Sequence, residues 1–140
     1  SFEDSIKLLD DPVDPHFKKF YETCICKGHK FYIISSGFRK FIEYFLPYVP
    51  SKFIFANDVV VNDSSWETKF KTKSKVDIIQ SLHDGKSKKI YFGDGISDFS
   101  VINHVDTLYV KSGSHLEKHC TKYDHVYTSF DDFGKINIDI

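Results

Sequence analysis

The stretch that decides the fold is Ile90-Tyr91-Phe92-Gly93-Asp94-Gly95-Ile96-Ser97-Asp98, in which an apolar run ends in Gly-Asp-Gly and a second aspartate follows. The run predicts a short buried strand, and the glycines allow a sharp turn after it. Two carboxylates would then reach the carboxyl edge of a sheet, a position that suits Mg²⁺, which binds few carboxylates and several waters. The alternative is a plain strand-to-helix turn capped by Ser97 or Asp98.

Outward from this stretch, helical spacing alternates with short apolar runs, which predicts an α/β fold: a mostly parallel sheet with helices on both faces, Rossmann-like in architecture. Ligands bind such sheets at the carboxyl ends of the strands. Residues 53–61, with Asn57-Asp58 between two β-rich runs, predict a small hairpin. The other predicted strands are residues 30–34, 89–92, 107–110 and 126–128, and the predicted helices lie at residues 14–28, 38–47, 78–85, 97–105 and 116–120.

Composition excludes several classes of protein. The chain has 140 residues and a formal charge of -1, with one short basic cluster at residues 69–75, so we expect one domain that binds no nucleic acid. No apolar run is long enough to span a membrane, and no signal-peptide pattern is present. The three cysteines, Cys24, Cys26 and Cys120, lack the spacing of a zinc site or a disulfide framework, which favours a reducing, cytoplasmic setting.

Two further segments carry candidate site residues. Ser35-Ser36-Gly37 joins a predicted strand to a helix, where a hydroxyl and free backbone N–H groups favour an anion; the alternative is a plain serine cap. Lys73 and Lys75 precede an amphipathic helix, where a lysine can neutralise a phosphate and an aspartate together; the alternative is a solvent-facing lysine. An attacking carboxylate and a phosphate dianion repel each other, so their reaction needs cations, which Mg²⁺ and a lysine would supply.

This ordered set resembles the haloacid dehalogenase (HAD) superfamily, and more narrowly the branch that contains phosphoserine phosphatase and the methionine-salvage enolic phosphatase. The resemblance spans roughly residues 14–130 and includes the segment Phe55-Ala56-Asn57. It implies phosphate binding by Ser35, Ser36 and Gly37, with Ser35 also catalytic. It further implies that Lys75 (Lys73 if the register is shifted) is the catalytic lysine that also contacts phosphate, that Asp94 binds Mg²⁺ directly, and that Asp98 binds or orients the metal.

The family's first motif, a strand ending in Asp-x-Asp, is not found. Residues 10–14, 59–63 and 136–140 each lack either the preceding strand or the acid spacing. We therefore expect residues 1–12 to be the tail of a cap or linker helix, and residues 13–140 to be the C-terminal part of a HAD-like core. A preceding segment of a longer phosphatase is the favoured source of the missing strand; a second chain or swapped segment, or a degenerate family member, are the alternatives.

The leading hypothesis is a Mg²⁺-dependent phosphomonoesterase that acts on a small phosphorylated metabolite through an aspartyl-phosphate, with the nucleophile outside this chain. The rival hypothesis is an inactive HAD-like module that binds a phosphorylated ligand or a protein partner. A dinucleotide-binding domain is disfavoured because no Gly-x-Gly-x-x-Gly opens a helix.

Overall fold

The computed structural model describes residues 13–61, 66–69 and 74–137. The chain forms two compact units, Ser1–Thr72 (unit 1) and Lys73–Ile140 (unit 2). The two three-stranded sheets lie one in each unit. Residues 1–12, predicted as the tail of a cap or linker helix, and Lys73 lie outside the described residues.

Unit 1 combines a parallel and an antiparallel strand pair: β1 is parallel to β2, and β2 is antiparallel to β3. Its elements in order are α1 (Phe17–Cys26), β1 (Ile33–Phe38), α2 (Arg39–Phe45), a 3-10 helix (Ser51–Phe53), β2 (Ile54–Val61) and β3 (Trp66–Lys69).

Helix α1 follows from its sequence pattern. Its buried face consists of Phe17, Phe20, Tyr21 and Cys24, which recur at helical spacing. The helix ends before Gly28, whose φ of +84° is favourable for glycine alone. The ring of Phe31, just before β1, packs against this face, with a centroid 5.0 Å from that of Tyr21.

Two predictions for unit 1 were wrong. The predicted hairpin within residues 53–61 is one unbroken strand, because Asn57 and Asp58, taken for turn residues, are both paired, with Phe38 and Lys69. The predicted strand at residues 30–34 instead begins at Ile33 and runs on to Phe38. Ser35-Ser36-Gly37 therefore lies within β1, where the register with β2 shifts between Ile34 and Phe38.

Unit 2 contains an all-parallel sheet of order β4-β5-β6. Since parallel strands share one direction, their carboxyl ends meet at one edge. The elements in order are α3 (Lys75–Ser81), β4 (Ile90–Gly93), a 3-10 helix (Ile96–His104), β5 (Thr107–Lys111), α4 (His115–Lys122), β6 (Thr128–Phe130) and a second 3-10 helix (Phe133–Lys135).

The core of unit 2 lies on one face of this sheet. Leu108 and Val110 of β5 pack there with Leu116 and Cys120 of α4 and with Ile102 of the first 3-10 helix. Phe92 and Tyr109 stack with ring centroids 4.8 Å apart, and Phe133 packs on Phe92. The alternation of side chains along β4 and β5 thus separates an aliphatic core from an aromatic cluster.

The α/β class with parallel strands is confirmed, and several boundaries differ. The helix predicted after Ser97 is a 3-10 helix, and the helix that begins at Lys75 ends at Ser81 rather than near Gly85. The last strand begins at Thr128 because Val126, predicted to start it, is 94% exposed and outside the sheet.

The cysteines are free, as predicted: Cys24 and Cys120 are buried and Cys26 is exposed. In the parts of the chain that the structure describes, no helix is long and apolar enough to cross a membrane.

Candidate functional site

The Gly93-Asp94-Gly95 loop stands at the carboxyl end of β4, as the sequence predicted. Asp94 is exposed there. Asp98, in the first turn of the 3-10 helix that follows, is a charged residue that is buried, at 3% exposure. The two aspartates of the motif therefore have different environments: one faces solvent and the other lies inside unit 2.

The Asp98 carboxylate accepts four hydrogen bonds. Its Oδ1 accepts from Lys75 Nζ at 2.7 Å and from the Tyr91 hydroxyl at 2.5 Å. Its Oδ2 accepts from the backbone N–H groups of Asp94 at 3.1 Å and Gly95 at 3.0 Å. A carboxylate offers about four lone-pair positions, so these donors account for its capacity. Through these hydrogen bonds Asp98 connects the loop at Asp94, strand β4 and helix α3.

Helix α3 places Lys75 for this contact. Ser74 and Asp77 form a capping box in which the Ser74 hydroxyl accepts from the Asp77 N–H at 3.2 Å and Asp77 accepts from the Ser74 N–H. Ile78 and Ile79 are buried, which anchors the helix. The Lys75 side chain, at 14% exposure, is then directed to Asp98, 23 residues further along the chain.

The electrostatics of the cluster favour an ionised Asp98 beside a neutral phenol. Burial raises the pKa of Asp98, but hydrogen bonds from Lys75, Tyr91 and Gly95 outweigh it and hold the pKa below its ordinary value. Burial, together with the hydrogen bond to Asp98, raises the pKa of Tyr91. The hydroxyl therefore remains a donor across the physiological pH range.

The lowered pKa of Asp98 predicts a loss of stability in acid. A carboxyl group whose folded pKa lies below its unfolded value stabilises the fold above the unfolded value, about 3.9, and this stabilisation is lost as the pH falls through the folded pKa. We expect Asp98→Asn to have a lower melting temperature than the wild type at pH 7, and the difference to shrink below pH 4. Thermal unfolding measured between pH 7 and pH 2.5 tests this; a difference that stays constant with pH would contradict it.

Gly93 is required by close packing. A Cβ at this position would lie 2.8 Å from Leu116 Cδ2 and 3.0 Å from Asp98 Oδ2, whereas a Cβ at Gly95 meets its nearest neighbour at 3.8 Å. We expect Gly93→Ala to destabilise the chain by about 1–3 kcal/mol through overpacking. Gly95→Ala is the matched control, and we expect it to leave the urea midpoint nearly unchanged. Equal midpoints for the two variants would refute the packing argument.

The donor set fits Mg²⁺ with few protein ligands. Asp94 presents a carboxylate to solvent at the end of β4, whereas the oxygens of Asp98 are engaged by four protein donors. Across residues 13–61, 66–69 and 74–137, no group of three or more His, Cys, Asp or Glu could hold a metal ion. A cation that keeps several waters and a substrate phosphate in its shell suits this arrangement.

The predicted phosphate-binding segment belongs to unit 1. The Gly37 N–H donates to Ser35 Oγ at 3.0 Å, and the Asn57 side-chain amide donates to the Ser36 carbonyl at 2.8 Å. Ser36 and Gly37 are exposed. Asn57 of β2 therefore holds this segment in place, which is a structural role for one residue of the Phe55-Ala56-Asn57 segment.

Sequence reasoning missed Tyr91. One signal was present, since side chains alternate along a strand and residue 91 shares a face with residue 93. The pattern cannot show that the 3-10 helix brings Asp98 back to that face. Among the predicted site residues, the structure joins Lys75 and Asp94 to Asp98 in unit 2, and Gly37 to Ser35 in unit 1.

Comparisons with known proteins support a HAD-like assignment. The chain is 29% identical to Pdp3-interacting factor 1 of Schizosaccharomyces pombe, in a match that covers 100% of this chain and 69% of that protein. It is 28% identical to polyol phosphate phosphatase PYP1 of Saccharomyces cerevisiae, covering 96% of this chain and 66% of PYP1. No protein-family profile matches the sequence.

Among solved structures, a phosphoserine phosphohydrolase-like protein from Francisella tularensis matches with a TM-score of 0.67 and 20% identity, covering 94% of this chain and 65% of that one. The chain thus spans about two thirds of the length of these relatives. The general resemblance to HAD-like phosphatases is confirmed. The narrower branch and the missing first motif stay predictions.

Proposed function

We propose that this chain, which resembles HAD-like phosphatases over nearly its whole length, is the C-terminal part of a Mg²⁺-dependent phosphomonoesterase. Its substrate would be a small phosphorylated metabolite in the cytoplasm, cleaved through an aspartyl-phosphate. The observation that carries the proposal is the 2.7 Å contact of Lys75 with Asp98, whose carboxylate also accepts from the N–H of the exposed Asp94 at the carboxyl end of β4. A positioned lysine and a carboxylate that can bind a metal ion would supply the electrostatic stabilisation that phosphoryl transfer uses.

Lys75 would bind the phosphoryl group. An ammonium group has three donors, and Asp98 takes one of them, which leaves donors for phosphate oxygens. Asp98 also lowers the freedom of the long lysine side chain, so less entropy is lost when substrate binds. Asp94 and Asp98 would form the protein side of the metal site, Asp94 as direct ligand and Asp98 by orienting the loop. A bound Mg²⁺ would neutralise charge that develops on the phosphoryl oxygens.

The resemblance assigns phosphate binding also to Ser35, Ser36 and Gly37, which belong to unit 1. Support comes from the resemblance and from local geometry, since the segment is partly exposed and held by Asn57. In this role the Ser35 hydroxyl donates to a phosphate oxygen while it accepts from the Gly37 N–H.

The nucleophilic aspartate would come from outside these 140 residues, because no strand ending in Asp-x-Asp occurs in the sequence. Within the described ranges, β1 pairs with β2 alone and β4 with β5 alone, so each of these strands has an edge that can take another strand. A preceding segment or a second chain that adds a strand next to Ser35 or Asp94 would bring the nucleophile to the site.

A second candidate function is an inactive module that binds a protein or a phosphorylated ligand. The absence of Asp-x-Asp favours it, and one relative is named for its interaction with Pdp3. Such a module would retain the Lys75–Asp98 cluster for structure alone.

The deciding experiment measures phosphate release by the full-length protein from an aryl phosphate, phosphoserine and polyol phosphates, with Mg²⁺ and with EDTA. Turnover that requires Mg²⁺ supports the phosphatase, and its rate on the three substrates defines the metabolite class. No turnover by folded full-length protein supports the binding module. The 140-residue chain is assayed in parallel, and we expect it to be inactive until the segment that carries the nucleophile is added.

A further inference from the structure

We infer that Tyr91 is a positioning residue of this site, and that its hydroxyl holds the Asp98 carboxylate in the orientation that directs Lys75. The effect on catalysis rests on the proposed function. The hydrogen-bond geometry does not, because Tyr91, Asp98 and Lys75 all belong to unit 2.

The two oxygens of Asp98 accept from different kinds of donor. Tyr91 and Lys75 both donate to Oδ1, whereas two backbone N–H groups donate to Oδ2. The amides fix one oxygen, and the phenol fixes the plane in which the other lies. Without the phenol, Lys75 would be the remaining side-chain donor to Oδ1. The carboxylate would then be less firmly oriented, and it would no longer hold the flexible lysine side chain in one position.

Packing of the Tyr91 ring does not require its hydroxyl. The ring of Tyr91 packs against the core of unit 2, a role that phenylalanine would fill equally well. Burying a phenolic O–H is costly unless it is hydrogen-bonded, so its presence in β4 is matched to Asp98. The neighbouring Phe92, on the other face, has no such group and stacks on Tyr109.

The Tyr91 hydroxyl also affects how far Asp98 neutralises the charge of Lys75. A neutral donor that shares Oδ1 with Lys75 draws part of the negative charge away from the lysine. The ammonium group is thus held by Asp98 without being fully compensated, and it keeps attraction for a phosphate. Tyr91 would therefore act on catalysis through Asp98 and Lys75, without touching substrate.

The activity test compares Tyr91→Phe with Tyr109→Phe in the full-length protein. Tyr109 is the matched control, because it lies on the adjacent strand of the same sheet. Tyr109→Phe removes the same group as Tyr91→Phe, the phenolic hydroxyl. We expect Tyr91→Phe to lower kcat about tenfold with KM for the aryl phosphate within about twofold, since misplacement of a positioned group mainly slows the chemical step. Tyr109→Phe should change neither constant. An unchanged kcat for Tyr91→Phe would overturn the inference, as would an equal loss in both variants.

A thermal cycle tests the same contact without any activity, so it also holds if the phosphatase proposal fails. Tyr91→Phe should lower the melting temperature of the full-length protein by roughly 3–6 °C in the wild-type background and by less than about 1 °C in Asp98→Ala. Additive losses would show that Tyr91 does not act through Asp98. If Asp98→Ala fails to fold, Asp98→Asn takes its place and a reduced effect of Tyr91→Phe is still expected. If the wild-type protein hydrolyses none of the substrates but the effect of Tyr91→Phe still depends on Asp98, the proposed function is refuted and the Tyr91–Asp98 contact is supported.

Discussion

Asp94→Asn in the full-length protein should lower the rate of Mg²⁺-dependent phosphate release by about 100-fold or more, while the protein stays folded. The Asp94 carboxylate is exposed, and it is the backbone N–H of Asp94 that holds Asp98, a contact that asparagine preserves. Loss of a charged metal ligand removes charge stabilisation worth several kcal/mol in the transition state. Initial rates against Mg²⁺ concentration, with the melting temperature of the same samples, measure both effects.

Asp124→Asn is the matched control for this substitution. Asp124 is exposed, belongs to the same unit, and has a φ of +55°, a conformation that asparagine also accepts. We expect its activity to equal that of the wild type. Asp94→Asn with normal activity and an unchanged response to Mg²⁺ would remove Asp94 from the site and the metal from the proposal.

Lys75→Met should cost both stability and activity. The pair with Asp98 is 2.7 Å long, with side chains 14% and 5% exposed, so removal of the cation leaves a buried carboxylate with one fewer charged donor. Breaking a buried pair costs about 3–5 kcal/mol, and the remaining three donors to Asp98 place the expected value near the lower end. Phosphatase activity should fall by about 100-fold or more, because Lys75 is also the proposed phosphate ligand. Urea unfolding of the 140-residue chain and kinetics of the full-length protein measure the two effects.

Two control substitutions test whether the losses of stability and activity are specific to Lys75. Lys135→Met removes a lysine that is 66% exposed and pairs with Asp131 at the surface, so we expect no change in the urea midpoint. Lys73→Met tests the alternative register that the sequence left open. If Lys73→Met destroys activity and Lys75→Met does not, the assignment of Lys75 to the phosphate is wrong, and the pair with Asp98 is structural.

The sequence and the structure agree most closely where local patterns determine the backbone. The strand and loop at residues 90–95 were predicted because apolar residues followed by Gly-Asp-Gly leave few alternatives. Helix α1 was predicted because its buried residues keep a helical period and Gly28 ends it. The errors occur where pairing overrides turn chemistry: Asn57-Asp58 and Ser35-Ser36-Gly37 have turn composition, yet both lie within strands.

The sequence by itself determined the α/β class, the order of the candidate motifs and the position of Asp94 at the end of a strand, because these depend on neighbouring residues. Tertiary structure decided which lysine meets which aspartate, that Asp98 is buried with four donors, and that Tyr91 is one of them. These contacts join residues 7 and 23 positions apart on separate elements. No local pattern encodes them, since they arise only when the 3-10 helix packs against helix α3 and brings Asp98 next to Tyr91 of β4.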